Sequence, residues 1–316
     1  MWNNKRYLTV LLAAGMMLAG CQTIEEDLTP ETSETKENEG VYTITVKAHK
    51  GSGTKALSLS TEGNTLNAGW KSGEQVRILR DGENIGELNV TTASDAFSTE
   101  ATLAGSVHAN IISQDQILTL LFPRASWDYT GQKGILSGEG SVESQYDYAM
   151  TTLTVISKDH VHSSLVTTPE VVFENQQSVY RFSFKVGENA LSVKQCAVGA
   201  VSGKLMQKLS YDTGTNSWVS TPGSITVTTS AATTNPLYVA LRNELAGTPT
   251  PAQIDAKTTL DTYSFTVIDD NGFCYLGEKP IPASALNMHG RFIDAPGIAM
   301  TKLTVTSSSV TKNEVW

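Results

Sequence analysis

The chain has 316 residues, of which 40% are hydrophobic and only 17% charged, and its formal net charge is −9. The apolar content is too high for a disordered protein, and an acidic balance without a basic stripe excludes a typical nucleic-acid binder, whose affinity comes mainly from neutralising phosphates. There are 30 serines and 39 threonines; because threonine prefers strands and both residues are mediocre helix formers, an all-β fold is predicted.

The first residues have the pattern of an export signal. Lys5 and Arg6 precede an apolar run, Leu8–Leu18, that is too short to span a bilayer. Small residues follow, as at a secretory cleavage site. The segment resembles the bacterial lipoprotein signal, which implies cleavage between Gly20 and Cys21 and lipid, including palmitate, on Cys21. We therefore predict a signal peptide over residues 1–20 and a surface-exposed lipoprotein of the cell outer membrane.

Residues 21–40 are predicted to form an acidic tether. Between positions 22 and 40 there are seven acidic residues and a single lysine, Lys36. Such a segment buries too little apolar surface to offset the entropy of ordering it. Its early cluster Glu25-Glu26-Asp27 resembles the surface-export signal of Bacteroidetes lipoproteins.

From Val41 onward, apolar residues recur at every second position, which indicates strands with one buried face. The clearest predicted strands are 41–47, 179–186, 237–241 and 263–267, and the shorter ones are 75–79, 117–122, 153–156 and 225–228. Turn residues separate them, at 62–64, 81–82 and 269–272. We find no amphipathic helix longer than about ten residues. Many short strands with frequent turns are typical of β-sandwiches or barrels.

The length suggests two domains, at roughly 100–200 residues each. Residues 167–169 interrupt the strand pattern with a proline, and a strong strand opens a new block at 179. We therefore predict an N-terminal β-sandwich over residues 41–170 and a C-terminal β-sandwich over residues 171–316, each long enough to bury a core.

A series of short motifs runs through the chain in a characteristic order. After the lipoprotein signal and the tether, the motifs are TKALSL (54–59), NTLNAGW (64–70), SGEQV (72–76), WDYTGQ (127–132), YDYA (146–149), FENQQSV (173–179) and PLYVAL (236–241). In this order they resemble the Bacteroidales fimbrillin-like lipoproteins, the type V pilus superfamily, from Cys21 to about Phe265. The resemblance implies two transthyretin-like β-sandwich domains. It also implies a stalk, tip or anchor subunit of a surface fimbria (pilus) that serves cell adhesion.

The resemblance also implies assembly with other fimbrial subunits by donor-strand exchange, in which a protease removes the first strand and a neighbour's strand fills the groove. Main-chain hydrogen bonds would supply the affinity and side-chain pockets the register. The first strand here would be 41–47, and the candidate cleavage sites in and before the loop 48–55 are Lys47, Lys50 and Lys55. The family usually has an arginine there, and this chain has none between Arg6 and Arg77. Either cleavage follows a lysine, or the subunit keeps its first strand, as an anchor, a tip or a non-polymerising surface protein would; the lysines could also lie simply in a solvated loop.

The last residues form a candidate donor strand. Terminal tails are usually polar, but the segment from Val310 ends in the apolar pair Val315-Trp316. Burying the tryptophan removes roughly 150–250 Å² from water. The tail could enter a neighbouring subunit's groove, or it could remain as an edge strand of its own sandwich.

Other chemistry is not favoured by the sequence. His160 and His162 would share one face of a strand, but no cysteine or carboxylate pair accompanies them at ligand spacing, so a surface strand edge is the better interpretation. The segment 269–272 resembles part of a Ca²⁺ loop, but Pro280 stands where the bidentate glutamate belongs, which favours a hairpin turn. No nucleophile is paired with a base at a recognisable spacing. We expect no metal, no cofactor and no enzymatic activity.

Two further questions stay open. Cys196 and Cys274 could form a disulfide in an oxidising envelope, or both could be buried free thiols. The alternative function is a non-polymerising carbohydrate-binding surface lipoprotein, which needs exposed aromatic side chains to stack on sugars. The candidates are Trp70, Trp127, Tyr129 and Trp218, although the first three look structural in the family motifs. A fimbrial protein could also bind a host or bacterial surface ligand.

Overall fold

The computed structural model describes residues 40–50, 69–93, 98–108, 112–123, 126–212, 214–215, 217–242, 250–256, 258–282, 290 and 292–304. The predicted signal peptide, the lipidation site Cys21, the acidic tether up to residue 39, Lys55 and the candidate donor strand 310–316 lie outside the described residues. All described residues belong to one compact unit, Glu39–Trp316.

Strands dominate this part of the chain, which confirms the predicted all-β class. The strands are β1 Val41–Lys50, β2 Gln75–Arg80, β3 Glu83–Thr91, β4 Glu100–His108, β5 Ile117–Phe122, β6 Trp127–Asp128, β7 Ala149–Asp159, β8 Ser164–Thr167, β9 Glu170–Asn175, β10 Ser178–Val186, β11 Asn189–Ala190, β12 Val193–Ala200, β13 Met206–Asp212, β14 Ser217–Pro222, β15 Ile225–Thr233, β16 Leu237–Leu241, β17 Thr259–Ile268, β18 Cys274–Pro282 and β19 Phe292–Lys302. The two described helices are short, α1 Val142–Gln145 and α2 Pro251–Asp255.

The alternating pattern of β1 shows why these segments are strands. Tyr42, Ile44, Val46 and Ala48 are all buried, while the residues between them up to position 47 are exposed. Side chains of a strand point alternately to its two faces, so this spacing places every apolar side chain on one face. The predicted strand 41–47 is therefore confirmed, and it continues three residues further, to Lys50.

The first sheet closes on itself. Its strands follow in the order β4-β3-β2-β5-β7-β8-β1-β9, and further pairings join β4 to β1 and β7 to β9. β1 is antiparallel to β4 over nine positions, beginning with Val41 opposite His108. On its other side it is parallel to β8 and to β9. The first strand thus lies between hydrogen-bonded neighbours rather than at an edge.

The second sheet runs in the order β10-β19-β18-β17-β12-β15, and β11 and β16 both pair with β10. Its end strands are β15 and β16, and the segment 132–134 lies between them. Thr228 donates its backbone N–H to the Gln132 carbonyl, at 3.0 Å, and Tyr238 donates to Gly134, at 2.9 Å. The buried Gln132 amide exchanges two further hydrogen bonds with the backbone of Ala240, each 2.8 Å long. A segment from the first half of the chain therefore closes the second sheet.

A third, three-stranded sheet also joins the two halves of the chain. Its order is β14-β13-β6, with Trp127 opposite Leu209. Trp127 stacks on Trp218, with ring centroids 5.9 Å apart. Tyr211 packs over the β2–β3 turn, where a Cβ on Gly82 would lie only 1.8 Å from the Tyr211 ring and where φ is +79°. Only glycine fits this turn, because it lacks a Cβ and tolerates positive φ.

Two apolar cores lie within these sheets. The first is formed by residues between Tyr42 and Phe173. The second contains the inward residues of β10–β19 together with several from the first half, such as Trp127 and Tyr148. Because β9 pairs with β1 and β7, the change from the first sheet to the second lies at Gln176–Gln177, several residues beyond the boundary near 167–170 that the sequence predicts. The division into two separate domains stays a prediction.

Candidate functional site

The candidate site consists of β1 and the slot that it fills, which lies between β4 on one side and β8 and β9 on the other. One face of β1 packs into the first core with Leu103 of β4, Leu165 of β8 and Phe173 of β9. The edges of β1 are hydrogen-bonded on both sides, including Thr43 N–H to Ser163 O at 2.9 Å. Without β1, the facing edges of β4, β8 and β9 would lose their partners, and the apolar floor between them would be open. Such a slot has the geometry to accept another extended segment with alternating apolar residues.

The described lysines of β1 occupy very different environments. Lys47 lies in the middle of the strand, and its side chain is exposed. Lys50 ends the strand and is 3% exposed. The predicted loop 48–55 is therefore wrong for residues 48–50, because the strand continues to Lys50. The alternative of a solvated lysine is wrong for Lys50, which the alternation turns inward.

Lys50 binds a carboxylate inside an aromatic cage. Its Nζ donates to Asp147 Oδ2 at 2.8 Å and to the carbonyl of Gly69 at 3.3 Å. The same Nζ lies 3.8 Å from the ring centroid of Phe122 and 4.7 Å from that of Trp70. The Lys50 and Asp147 side chains are 0% and 7% exposed. An ammonium group removed from water in this way requires a paired anion and polar contacts to offset its lost hydration.

The carboxylate side of this cluster faces a cavity of about 560 Å³. Phe122, Glu74 and Asp147 line its wall. Burial raises the pKa of Glu74, and the positive charge of Lys50 opposes that rise. Glu74 Oε2 accepts a hydrogen bond from the Lys71 N–H at 2.9 Å, which fixes its position. Glu74 and Asp147 therefore both line this cavity, and Asp147 also binds the buried Lys50 amine.

The aromatic residues considered for sugar stacking are mostly internal. Trp70 and Tyr129 are 0% exposed and Trp127 is 1% exposed. Trp70 packs edge-to-face against Phe122 and Phe173. Trp218 is half-buried and lies flat on Trp127. Of these four residues, only Trp218 reaches the surface, so they form no extended aromatic platform.

Cys196 and Cys274 are both free thiols. They lie on β12 and β18, which flank β17 on opposite sides, opposite Val267 and Ile268 of that strand. Two strand spacings amount to about 9–10 Å, beyond the roughly 7 Å that a disulfide can bridge between Cα atoms. Burial raises the pKa of Cys196 to about 12, so its thiol is also poorly reactive.

The two histidines considered as metal ligands lie in a turn, which makes the interpretation as a strand edge wrong. β7 ends at Asp159, and residues 160–163 form the connection to β8. Asp159 accepts from the His162 N–H at 3.1 Å, and His160 Nδ1 is 2.6 Å from the Tyr42 hydroxyl. Asp159 stabilises the turn because its side chain accepts hydrogen bonds from the backbone N–H groups that follow it. Within the described ranges, no three metal-ligating side chains cluster together.

The segment 269–272 is a hairpin turn between β17 and β18, as the sequence predicts. Asp269 Oδ1 accepts from the N–H groups of Asn271 and Phe273, at 2.9 and 2.8 Å, and Oδ2 accepts from the Tyr275 hydroxyl at 3.1 Å. Burial acts to raise the pKa of Asp269, but these hydrogen bonds outweigh it and hold the pKa below its ordinary value. None of the helices in the described residues is long and apolar enough to span a bilayer.

Sequence reasoning missed the pairing of Lys50 with Asp147. One signal was present, because extending the even-numbered alternation of Tyr42 through Ala48 places Lys50 on the buried face. Asp147 carried a second signal, since it stands between Tyr146 and Tyr148, which are both buried. A charged residue at a buried position indicates a partner of opposite charge.

No protein-family model matches the chain, and no curated protein matches it. Among solved structures, it is similar to a candidate cell adhesion protein from Bacteroides ovatus, at 10% identity over 83% of this chain and 96% of that one, with a TM-score of 0.39. It is also similar to the tip fimbrial protein Mfa3 from Porphyromonas gingivalis with C-terminal truncation, at 8% identity over 83% and 98% of the two chains, with a TM-score of 0.35. A fimbrial assembly protein from Parabacteroides distasonis is similar at 11% identity over 83% and 99%, with a TM-score of 0.31.

Proposed function

We propose that the protein is a surface-exposed fimbrial subunit, or a fimbria-associated anchor or tip lipoprotein, that assembles by donor-strand addition and serves cell adhesion. The observation that supports this most directly is the placement of β1. It is the first described strand, it lies between β4 on one side and β8 and β9 on the other, and its inward residues are all buried. A strand near the start of the described chain that completes a sheet can be exchanged without rearranging the strands around it.

If β1 were removed, the slot would bind a neighbour's strand through the same interactions that hold β1. The β4 side offers a ladder of nine residue pairs. The floor offers pockets for four alternate side chains, now filled by Tyr42, Ile44, Val46 and Ala48. Backbone hydrogen bonds would give affinity independent of sequence, and the pockets would set the register.

The lysines of β1 favour a subunit that retains its first strand. Cleavage after Lys47 would cut a strand that is paired on both sides, and cleavage after Lys50 would require exposure of a buried ion pair. Lys55 lies outside the described residues. A subunit that keeps β1 would keep its lipid on Cys21 and would sit at an end of the fimbria, as an anchor or a tip does.

N-terminal sequencing of the protein released from intact cell surfaces tests this assignment. A retained first strand predicts a chain that begins at lipid-modified Cys21. A chain that begins at Ala56 would show cleavage after Lys55 and would assign the protein to the polymerising subunits instead.

Removal of residues 310–316 tests the donor-strand part of the proposal. If this segment enters a neighbour's slot, the truncated protein should lose its ladder of polymers on partly denaturing gels or its capture of a partner subunit. Its melting temperature should move by only a few degrees, because a segment that acts in assembly would contribute little to the stability of the isolated monomer. Normal assembly by the truncated protein, or a failure to fold, would contradict the donor-strand role.

A further inference from the structure

We propose that Lys50 and Asp147 condense to form an intramolecular amide bond, and that Glu74 carries the protons in this reaction. The bond would be a covalent link between the end of β1 and the segment that precedes β7. The proposal rests on the geometry of the buried cluster and does not depend on the fimbrial function.

The reacting groups are already in contact. Lys50 Nζ is 2.8 Å from Asp147 Oδ2, and both side chains are removed from water. Fixing a nucleophile against an electrophile replaces a bimolecular encounter with an intramolecular one, an advantage that reaches effective molarities of about 10⁵–10⁸ M.

The aromatic cage supplies the second requirement, the exclusion of water. The rings of Phe122 and Trp70 cover the amine, and Phe173 packs on Trp70 with ring centroids 5.0 Å apart. Excluding water from the amine strengthens the electrostatic interactions around it. An apolar side chain at position 50 would pack in this cage without the cost of burying an ion pair, so stability alone gives little reason for a lysine here.

Glu74 is positioned to move the protons. It lines the same cavity as Asp147. Burial raises its pKa, so it carries a proton at neutral pH more often than an ordinary glutamate does. A carboxyl group tuned in this way can give and accept protons in one reaction cycle.

The reaction balances without an oxidant or another reactant. The Lys50 ammonium gives one proton to an oxygen of the Asp147 carboxylate, and the Nζ lone pair then attacks Asp147 Cγ. Glu74 donates a proton to the departing oxygen of Asp147, the Cγ–O bond breaks, and water leaves through the adjacent cavity. The nitrogen then returns a proton to Glu74. One ammonium and one carboxylate become one amide and one water, and Glu74 is regenerated.

The bond would close a covalent loop, since the two residues are 97 positions apart. The bond would keep β1 attached to the rest of the protein even after a cut in the chain. A chain cut after Lys55 would keep everything that precedes the cut, including a lipid on Cys21, because Lys50 would hold that segment to the remainder of the protein.

Peptide mapping of the full-length folded protein tests the bond. Trypsin cannot cleave after an amidated Lys50, so residues 48–55 should appear joined to residues 134–158, at the summed mass of the two peptides less one water. Tandem fragmentation should locate the link at Lys50 and Asp147. Separate peptides, with cleavage after Lys50, would overturn the proposal, and this result needs no variant that must fold.

Variants distinguish the two linked residues, Lys50 and Asp147, from the proton carrier Glu74. Lys50→Met and Asp147→Ala should abolish the joined peptide. Lys47→Met, on the exposed face of the same strand, should keep the link, in a joined peptide that now begins at residue 37 because the tryptic site at 47 is lost. Glu74→Gln keeps the Lys50–Asp147 contact and should slow bond formation about a hundredfold or more, the usual effect of losing a proton carrier. Circular dichroism would verify that this variant is folded, and an unchanged rate of formation in it would overturn the assignment of Glu74.

Discussion

Replacing Phe182 with alanine removes a ring from the centre of the second core. Phe182 is 0% exposed, and its ring centroid lies 5.4 Å from that of Tyr180, 6.4 Å from that of Phe184 and 5.0 Å from that of Phe265. Truncating a buried phenylalanine costs about 3–5 kcal/mol in the free energy of unfolding. Each ring contact contributes about 0.5–1.5 kcal/mol beyond burial alone. With three ring partners, Phe182 should fall in the upper part of the range, at about 4–5 kcal/mol.

Phe184 provides an internal comparison. It is 4% exposed and has two ring partners, Phe182 and Phe265, so Phe184→Ala should cost less, about 3–4 kcal/mol. At about 2–4 °C per kcal/mol for a protein of this size, Phe182→Ala should lower the melting temperature by about 8–20 °C. Thermal melts followed by circular dichroism measure both shifts.

The controls are two milder substitutions. Val201 is 66% exposed, so Val201→Ala should change the stability by no more than about 0.5 kcal/mol. Ser183 points away from the core, but its Oγ accepts a hydrogen bond from the Gly297 N–H at 2.8 Å, so Ser183→Ala should cost about 1 kcal/mol. If Phe182→Ala melts no earlier than Ser183→Ala, the reasoning about this core is refuted.

Two further predictions concern Cys21 and Asp269. Cys21→Ser should leave the protein unlipidated and in the soluble fraction, and outer-membrane association equal to that of the unmodified protein would contradict lipid anchoring. The pKa of Asp269 is held below its ordinary value of 3.8, so the carboxylate contributes stability above that pH and loses the contribution as the pH falls through the lowered pKa. The stability difference between the unmodified protein and Asp269→Asn should therefore be constant near neutral pH and should shrink in acid; a difference in urea midpoints that does not change with pH would argue against this role.

The strands could be predicted wherever one face of a strand meets a core. β5 has the predicted bounds 117–122, and the buried positions of β10 are those at which the alternation places Phe182 and Phe184. In β10, burial of one face from Tyr180 to Phe184 produces a period of two that can be read without knowing the neighbouring strands. β5 is instead a short apolar run that is buried on both faces at its end, from Leu120 to Phe122.

The candidate site could be predicted only in part. The first strand was identified, but its predicted end at residue 47 placed Lys50 in the following loop. Its carboxylate partner, Asp147, is far away in sequence, and no local pattern joins the two positions. Contacts of this kind follow from how the strands are ordered in the sheet, which the alternation within each strand does not specify. The same holds for Gln132, whose amide meets Ala240 in the opposite half of the chain.

The segment 132–134 has a consequence for how the protein can be divided. A fragment that begins at residue 171 would lack the backbone and side-chain groups that cover Thr228, Tyr238 and Ala240. Its sheet would then present two unprotected edges, which readily pair with those of other molecules and aggregate. A fragment that ends at residue 170 would carry Trp127 and Tyr148 without the core that buries them. Neither half should therefore be soluble and monomeric by itself, and the intact chain should unfold in one cooperative transition.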